Sequence, residues 1–326
     1  MTTNIDIRLL TGGDVDAALA LSASCGWNQR AEEWHMMLQI APSGTFTAST
    51  PDGIVGTAIG IDYGNFGWIA MMLVNPAWRG RGLGARLLEA AMGAVPPELP
   101  IRLDATPLGR PLYERYGFVL ESSLTRHVRP ADAGPAPAHD GDVRPLIEAD
   151  LATVMRLDDR ISGAHRHDPL RWAFGDAPRY AWIGTNAGAS LRAKAGSHPS
   201  GVGVASGFSR KAASGAGLPT EGGSHAFTPG YCLGRGGRLF DHIGPIVADA
   251  TESATALAGA AIAGNGGRAL VIDAHDGQDA FTAWLRHAQF EPQRPLYRMC
   301  RPGGAPAPNR PAPPLTEFAI MGPEFS

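Results

Sequence analysis

The order of patterns along the chain predicts a mixed α/β fold made of two copies of one unit. Three observations carry that expectation. Strand-like runs are followed by a helix–strand–helix–strand series, the two halves resemble each other, and a glycine-rich turn is set between a strand and a helix. The 326-residue length also exceeds what one hydrophobic core ordinarily serves.

Residues 14–24 and 30–40 carry helical apolar spacing. Strand-like runs follow at 45–50, 54–62 and 67–74, parted by the turn residues Pro51-Asp52-Gly53 and Asp62-Tyr63-Gly64-Asn65. Residues 83–94 then place Leu87, Leu88, Ala91, Met92 and Val95 on one helical face. A strand at 100–105, a helix at 110–116 and a strand near 118–128 complete a first domain over residues 1–128. Residues 129–141 are rich in Pro, Ala and Gly and read as a linker to a second domain over 142–326. Within that domain residues 184–226 hold almost no large apolar side chains, so they are expected to be a mobile insertion dispensable for chemistry. Residues 302–314 repeat Pro with Ala and Gly, an irregular connection before the apolar end LTEFAIMG.

The duplication rests on ordered matches. IRLLTGGDVDAALAL aligns with VRPLIEADLATVMRL at an offset of 136, pairing Arg8 with Arg144 and Asp14 with Asp150. Residues 103–105 (LDA) match 272–274 (IDA), and LYERYGFVLE at 112–121 matches WLRHAQFEPQ at 284–293, an offset of 172. The offset grows by 36 residues, about the size of the low-complexity segment between the matches.

The sharpest motif is Leu73-Val74-Asn75-Pro76-Ala77-Trp78-Arg79-Gly80-Arg81-Gly82-Leu83-Gly84, followed at once by the helix ARLLEAAM. A glycine-rich turn feeding a helix N-terminus offers free N–H groups and the positive end of a dipole to a phosphate. Arg79 and Arg81 add charged donors at the rim. Gly80-x-Gly82-x-x-Ala85, with Asp104 about 20 residues on, also fits a dinucleotide fingerprint. Against that fingerprint, Asn75-Pro76-Ala77-Trp78 intervenes between strand and glycines.

At these residues the chain resembles the GCN5-related N-acetyltransferases, through Arg79, Gly82 and Gly84 in the pattern Q/R-x-x-G-x-G/A and through Leu112-Tyr113-Glu114-Arg115-Tyr116-Gly117-Phe118. The resemblance implies two tandem domains, each a mixed, mainly antiparallel twisted sheet flanked by helices. It implies acetyl-CoA as cosubstrate, with pantetheine along Met72-Leu73-Val74 and pyrophosphate on Arg79, Gly80, Arg81, Gly82, Leu83 and Gly84. Tyr113 would protonate the departing thiolate, and Trp27 and Asn28 would meet the acceptor, with a helix staple and cap as their structural alternative. The strand before the loop lacks the carboxylate many relatives use, which leaves Glu32, Glu33, His35 and Asp104 as candidate bases. The acceptor implied is an amine, on a small molecule or a protein.

The second copy resembles the companion domain of tandem acetyltransferases and is expected to be degenerate. Asp249, Thr251 and Glu252 fall at its loop position, where carboxylates would repel pyrophosphate, and Leu285 stands at the position of Tyr113. Gly234-Arg235-Gly236-Gly237-Arg238 reads as a hairpin turn. The alternatives from other classes are an acyl-CoA-binding sensor and a nucleotide-dependent oxidoreductase using Gly80–Ala85 and Asp104.

A formal charge of -3 supplies no electrostatic case for nucleic acid or an anionic membrane. No run approaches the roughly 18 apolar residues a membrane span needs. Cys25, Cys232 and Cys300 are odd in number and without a CxxC spacing, and no signal peptide is visible, so a cytoplasmic location without disulfides is expected. No metal site is expected; His165-x-His167 is the closest histidine pair.

Overall fold

The computed structural model describes residues 5–138, 142–185, 230–304 and 315–326. Nearly all of the expected insertion, from 186 onward, lies outside the described residues, as does most of the proline-rich connection.

The first copy runs β1 (Asp6–Leu9), α1 (Val15–Ser24), α2 (Ala31–Ile40), β2 (Thr45–Thr50), β3 (Gly53–Asp62), β4 (Gly67–Val74), α3 (Leu83–Gly93), β5 (Ile101–Ala105), α4 (Arg110–Arg115) and β6 (Val119–Arg129). The second runs β7 (Val143–Pro145), α5 (Leu151–Ile161), α6 (His167–Asp176), β8 (Trp182–Gly184), β9 (Tyr231–Arg235), β10 (Asp241–Ala248), α7 (Thr251–Ala263), β11 (Leu270–His275), α8 (Asp279–His287), β12 (Glu291–Arg301) and β13 (Thr316–Ala319). Both copies anchor their first strand in the same way. Arg8 clamps Asp14 and Arg144 clamps Asp150, each through two N–H···O bonds of 2.7–2.8 Å. The loop Gly236–Phe240 turns a hairpin between β9 and β10, whose residues Arg235 and His242 face each other.

Each copy contributes a mixed, mainly antiparallel sheet, and the two are continuous. The strand order is β1-β2-β3-β4-β5-β12-β6-β11-β13-β10-β9-β8-β7. The copies have exchanged their last strands. β12 of the second copy pairs with β5 of the first, and β6 of the first pairs with β11 of the second. Equivalent ion pairs close both seams. Arg298 on β12 grips Asp104 on β5 at 2.9 and 2.9 Å, and Arg126 on β6 grips Asp273 on β11 at 2.7 and 2.6 Å. The partners are related by the repeat itself, since Arg126 and Arg298 lie 172 apart and Asp104 and Asp273 stand in the matched LDA and IDA.

Helices cover both faces. On one, α3 and α4 bury Leu87, Leu88, Ala91 and Tyr113 against Ile69, Leu103 and Ala105. The leucines and Ile69 contribute about 1.5–3 kcal/mol each on full burial. Close seating of α3 depends on Gly60, where an added Cβ would fall 2.0 Å from the carbonyl oxygen of Ala91. On the other face Trp34, Met37, Trp68, Leu151 and Leu170 form one core with Met321 and Phe325, so the copies share it. The segment after β13 is sewn in by the Trp68 indole N–H, which donates to Pro323 C=O, and by the Tyr63 hydroxyl, which donates to Phe325 C=O, both at 3.1 Å.

Candidate active site

The site begins with a break in strand pairing. β4 and β5 run parallel and pair only at Gly67–Ile101 and Trp68–Arg102, so their remaining lengths diverge. A bulge lies at the divergence. The register with β3 shifts between Thr57 and Ile59, and Met71 takes φ +49°, rare for a bulky side chain. The Thr57 hydroxyl donates to the Met71 carbonyl at 2.8 Å and braces the bulge. Beyond it, Met72, Leu73 and Val74 face a gap on the β5 side, with no strand paired to them there among the described residues.

The glycine loop opens at the end of that gap. Asn75 caps a 3-10 turn over Pro76–Trp78, accepting from Ala77 N–H at 3.0 Å. Gly80 and Gly82 then take φ +75° and +76°, which side-chain-bearing residues rarely adopt, and the space their Cβ atoms would occupy is open. The first helical bond of α3 runs from Arg86 N–H to Gly82 C=O. The N–H groups of Leu83, Gly84 and Ala85 therefore lack an intrahelical acceptor and point out of the helix start. The Arg79 Nε–H donates to Val74 C=O at 3.1 Å, leaving its two terminal nitrogens for a ligand. The Arg81 guanidinium lies 4.9 Å over the Trp78 ring. Met72, Leu73 and Val74 thus border the strand edge left unpaired by β5, and the loop Arg79–Gly84 follows at its end, with the Leu83 side chain turned into the core.

Tyr113 packs on α4 with its ring edge-on to Phe118 at 5.9 Å. It is 7% exposed, burial pushes its phenol above the ordinary range, and its hydroxyl makes no hydrogen bond among the described residues. It shares its core cluster with Val74, Leu83 and Leu112.

The acceptor-side expectations fare differently. Trp27 is half-buried on the shared core, and its carbonyl accepts from Arg238 at 2.8 Å. Asn28 spends its amide on the second copy, donating to Phe240 C=O at 2.9 Å and accepting from Leu239 N–H at 2.7 Å. It thus clasps the two copies together through both ends of its amide. Of the candidate bases, Glu33 is buried against Arg235, and both Asp104 oxygens are taken by Arg298; Glu32 and His35 lie on the exposed side of α2. The pairing of Asp104 also removes the free carboxylate that a dinucleotide's ribose would require.

In the second copy the equivalent gap is filled. β10 and β11 pair in parallel only at Asp241–Leu270 and His242–Val271, and β10 has its own register shift before Ile246. β13 enters the divergence, pairing antiparallel with β10 at Ile246–Ala319, Val247–Glu317 and Ala248–Thr316, and with β11 at Ala274–Ala319. No glycine turn precedes α7, which starts at Thr251, and Leu285 is buried in the core.

A groove of about 270 Å³ lined by Gln39, Asp62, Tyr63, His165 and His167 lies at the β3–β4 hairpin. Gly67 to Val74 spans roughly 23 Å at the usual rise per strand residue, so this groove is remote from the glycine loop. Sequence reasoning missed the Met71 bulge and the filling of the second gap. The apolar end of LTEFAI was the signal for a buried segment there, but its destination beside β10 is visible only in three dimensions.

Residues 41–120 match the sequence model of the acetyltransferase (GNAT) domain, and residues 223–311 match a second model of the same description. An uncharacterized N-acetyltransferase of Bacillus subtilis, YitH, is 27% identical over 147 residues, which is 42% of this chain and 52% of that protein. The match therefore spans about half of that relative's length. A putative acetyltransferase from Pyrococcus horikoshii superimposes with a TM-score of 0.68 at 20% identity, covering 100% of this chain and 97% of that one. A GCN5-related N-acetyltransferase from Sphaerobacter thermophilus gives 0.57 at 16% identity, covering 92% and 96%. At these identities the superpositions speak for the fold, in both copies at once.

Proposed function

Since the chain belongs to the GNAT family of acetyltransferases, we propose that it transfers an acetyl group from acetyl-CoA to a primary amine by direct attack in a ternary complex. The first copy carries the reaction and the second is a structural companion. One observation supports this above all: the edge of Met72–Val74 toward β5 has no strand paired to it among the described residues, whereas the equivalent edge of the second copy is paired by β13. The molecule itself illustrates what such a gap takes, an extended chain whose amides complete the strand edge. Pantetheine, with two amides in an extended arm, has that character.

In this reading pyrophosphate rests on the N–H groups at the start of α3, with Arg79 and Arg81 closing over it. The acceptor nitrogen attacks the thioester carbon, and the oxyanion that forms is held by backbone N–H groups at the β4 bulge. Collapse breaks the carbon–sulfur bond and leaves the electron pair on sulfur. Tyr113 gives the thiolate its proton and regains one from solvent, while the acceptor's surplus proton leaves through water. Burial keeps Tyr113 protonated, and a thiolate in the same apolar gap is raised in basicity for the same reason. The three cysteines are free and the proposed compartment is the cytoplasm; no helix among the described residues is long and apolar enough to cross a membrane.

The test is release of coenzyme A thiol from acetyl-CoA by the full chain against a panel of small primary amines and amine-bearing peptides. Amine-dependent release with an N-acetylated product is expected. Saturable acetyl-CoA binding without release for any amine would instead support the sensor reading.

A further inference from the structure

We propose that Asp159, His165 and His167 form a divalent transition-metal site of the Zn²⁺ type at the junction of the two copies, remote from the acyl gap and independent of the acetyltransferase reading. One ligand atom from each of these three residues lies within 4.8 Å of the others. The Asp159 carboxylate is 2.9 Å from His167 Nε2 and 3.4 Å from His165 Nδ1. Ligands around a tetrahedral ion with bonds of about 2.0–2.2 Å stand roughly 3.4 Å apart, the spacing His165 already has, and the 2.9 Å His167 contact is a hydrogen bond that an ion would replace by a small opening of the pair.

The local fold prepares this arrangement. Arg166, between the two histidines, is 1% exposed and grips Asp158 at 2.7 and 2.9 Å and Glu317 at 3.0 Å. Asp158 in turn accepts from the Tyr231 hydroxyl at 2.5 Å. With Asp158 and Arg166 locked inward, their chain neighbours Asp159, His165 and His167 project outward together from the end of α5 and the start of α6. The first copy supports the turn between them, where Asn65 donates to Gly163 C=O at 3.0 Å.

Two imidazoles and one carboxylate suit Zn²⁺, Ni²⁺ or Cu²⁺, whereas Ca²⁺ and Mg²⁺ favour all-oxygen sets. Three protein ligands leave a fourth position. Here it opens on the groove of about 270 Å³ that His165 and His167 line with Asp62, Tyr63 and Asp168, so water or a small anion could complete the shell. A bound ion would fasten the α5–α6 turn beside the β3–β4 hairpin.

The test uses the untagged full chain after chelator treatment, titrated with Zn²⁺ by calorimetry and with Co²⁺ by visible absorbance, beside His165→Ala and His167→Ala. His165 is exposed and His167 half-buried at the surface, so His165→Ala should keep the metal-free melting temperature of the parent and His167→Ala should stay folded. The expected result is one saturable Zn²⁺ per chain, at least tenfold weaker in each variant, with a rise in melting temperature that the variants lack. Absence of saturable binding, or binding that neither substitution weakens, would overturn the proposal and leave the trio as ordinary His–Asp pairs.

Discussion

Tyr113 illustrates how position and chemistry can be separated at a single residue. Its ring belongs to the core beside Phe118 whatever its hydroxyl does. Tyr113→Phe keeps that packing and removes only the proton, and general-acid help is typically worth about 10²–10⁴ in rate. Turnover should fall by at least about 10²-fold with acetyl-CoA affinity and melting temperature unchanged; normal turnover would make Tyr113 a packing residue. His242 offers a second test at this scale. Burial, reinforced by Arg235, lowers its pKa to about 4. Nδ1 accepts from Arg235 at 3.1 Å and Nε2–H donates to Asp273 at 3.2 Å, a set that fits the neutral ring. The unfolded chain, with histidine near 6.5, binds a proton between about pH 6.5 and 4 that the folded chain refuses. Stability should therefore fall as pH drops through that window. A melting series on wild type and His242→Gln should show the stronger pH dependence in wild type, and equal slopes would contradict the assignment.

Elements near in sequence were legible, and pairings between the copies were not. The β4–turn–α3 unit could be read directly because strand, glycines and helix are contiguous and their physics is local. The exchange of β6 and β12 could not. The two strands come from matched sequence, and either one satisfies the same alternation beside β5. Each exchanged seam carries a buried ion pair, Arg298–Asp104 and Arg126–Asp273, and because these residues are equivalent by the repeat they hold either arrangement without selecting one. Breaking one partner of such a pair strands a buried charge, at a cost of about 3–5 kcal/mol. Asp273→Asn and Asp104→Asn should each lose stability on that scale by chemical denaturation. Arg8→Met, at a pair where the arginine is 41% exposed, should cost less than about 1 kcal/mol. Similar losses at all three sites would mean that the seams are not held by these pairs.

At the scale of the molecule, one sheet spans both copies, and one core holds Trp34 and Trp68 of the first with Leu170 and Phe325 of the second. The second copy thus supplies the first with a strand and with part of the wall behind β4, while its own gap is closed by β13. Asp249, Glu252 and Leu285 led to the expectation of a degenerate second copy, and β13 beside β10 adds a steric argument to the electrostatic one. On the proposed function each chain has one acetyl-CoA site, at the start of α3. The direct measurement is the stoichiometry of acetyl-CoA binding to the full chain by calorimetry, repeated with Gly84→Asp. An added Cβ at Gly84 meets only ordinary contacts, 3.5 Å from Leu112 and 3.8 Å from Val74. A carboxylate at a helix N-terminus favours folding by about 0.3–1 kcal/mol, yet it would repel pyrophosphate. One site per chain, lost in Gly84→Asp with the melting temperature retained, is the predicted result; two sites, or one site that survives the substitution, would contradict it.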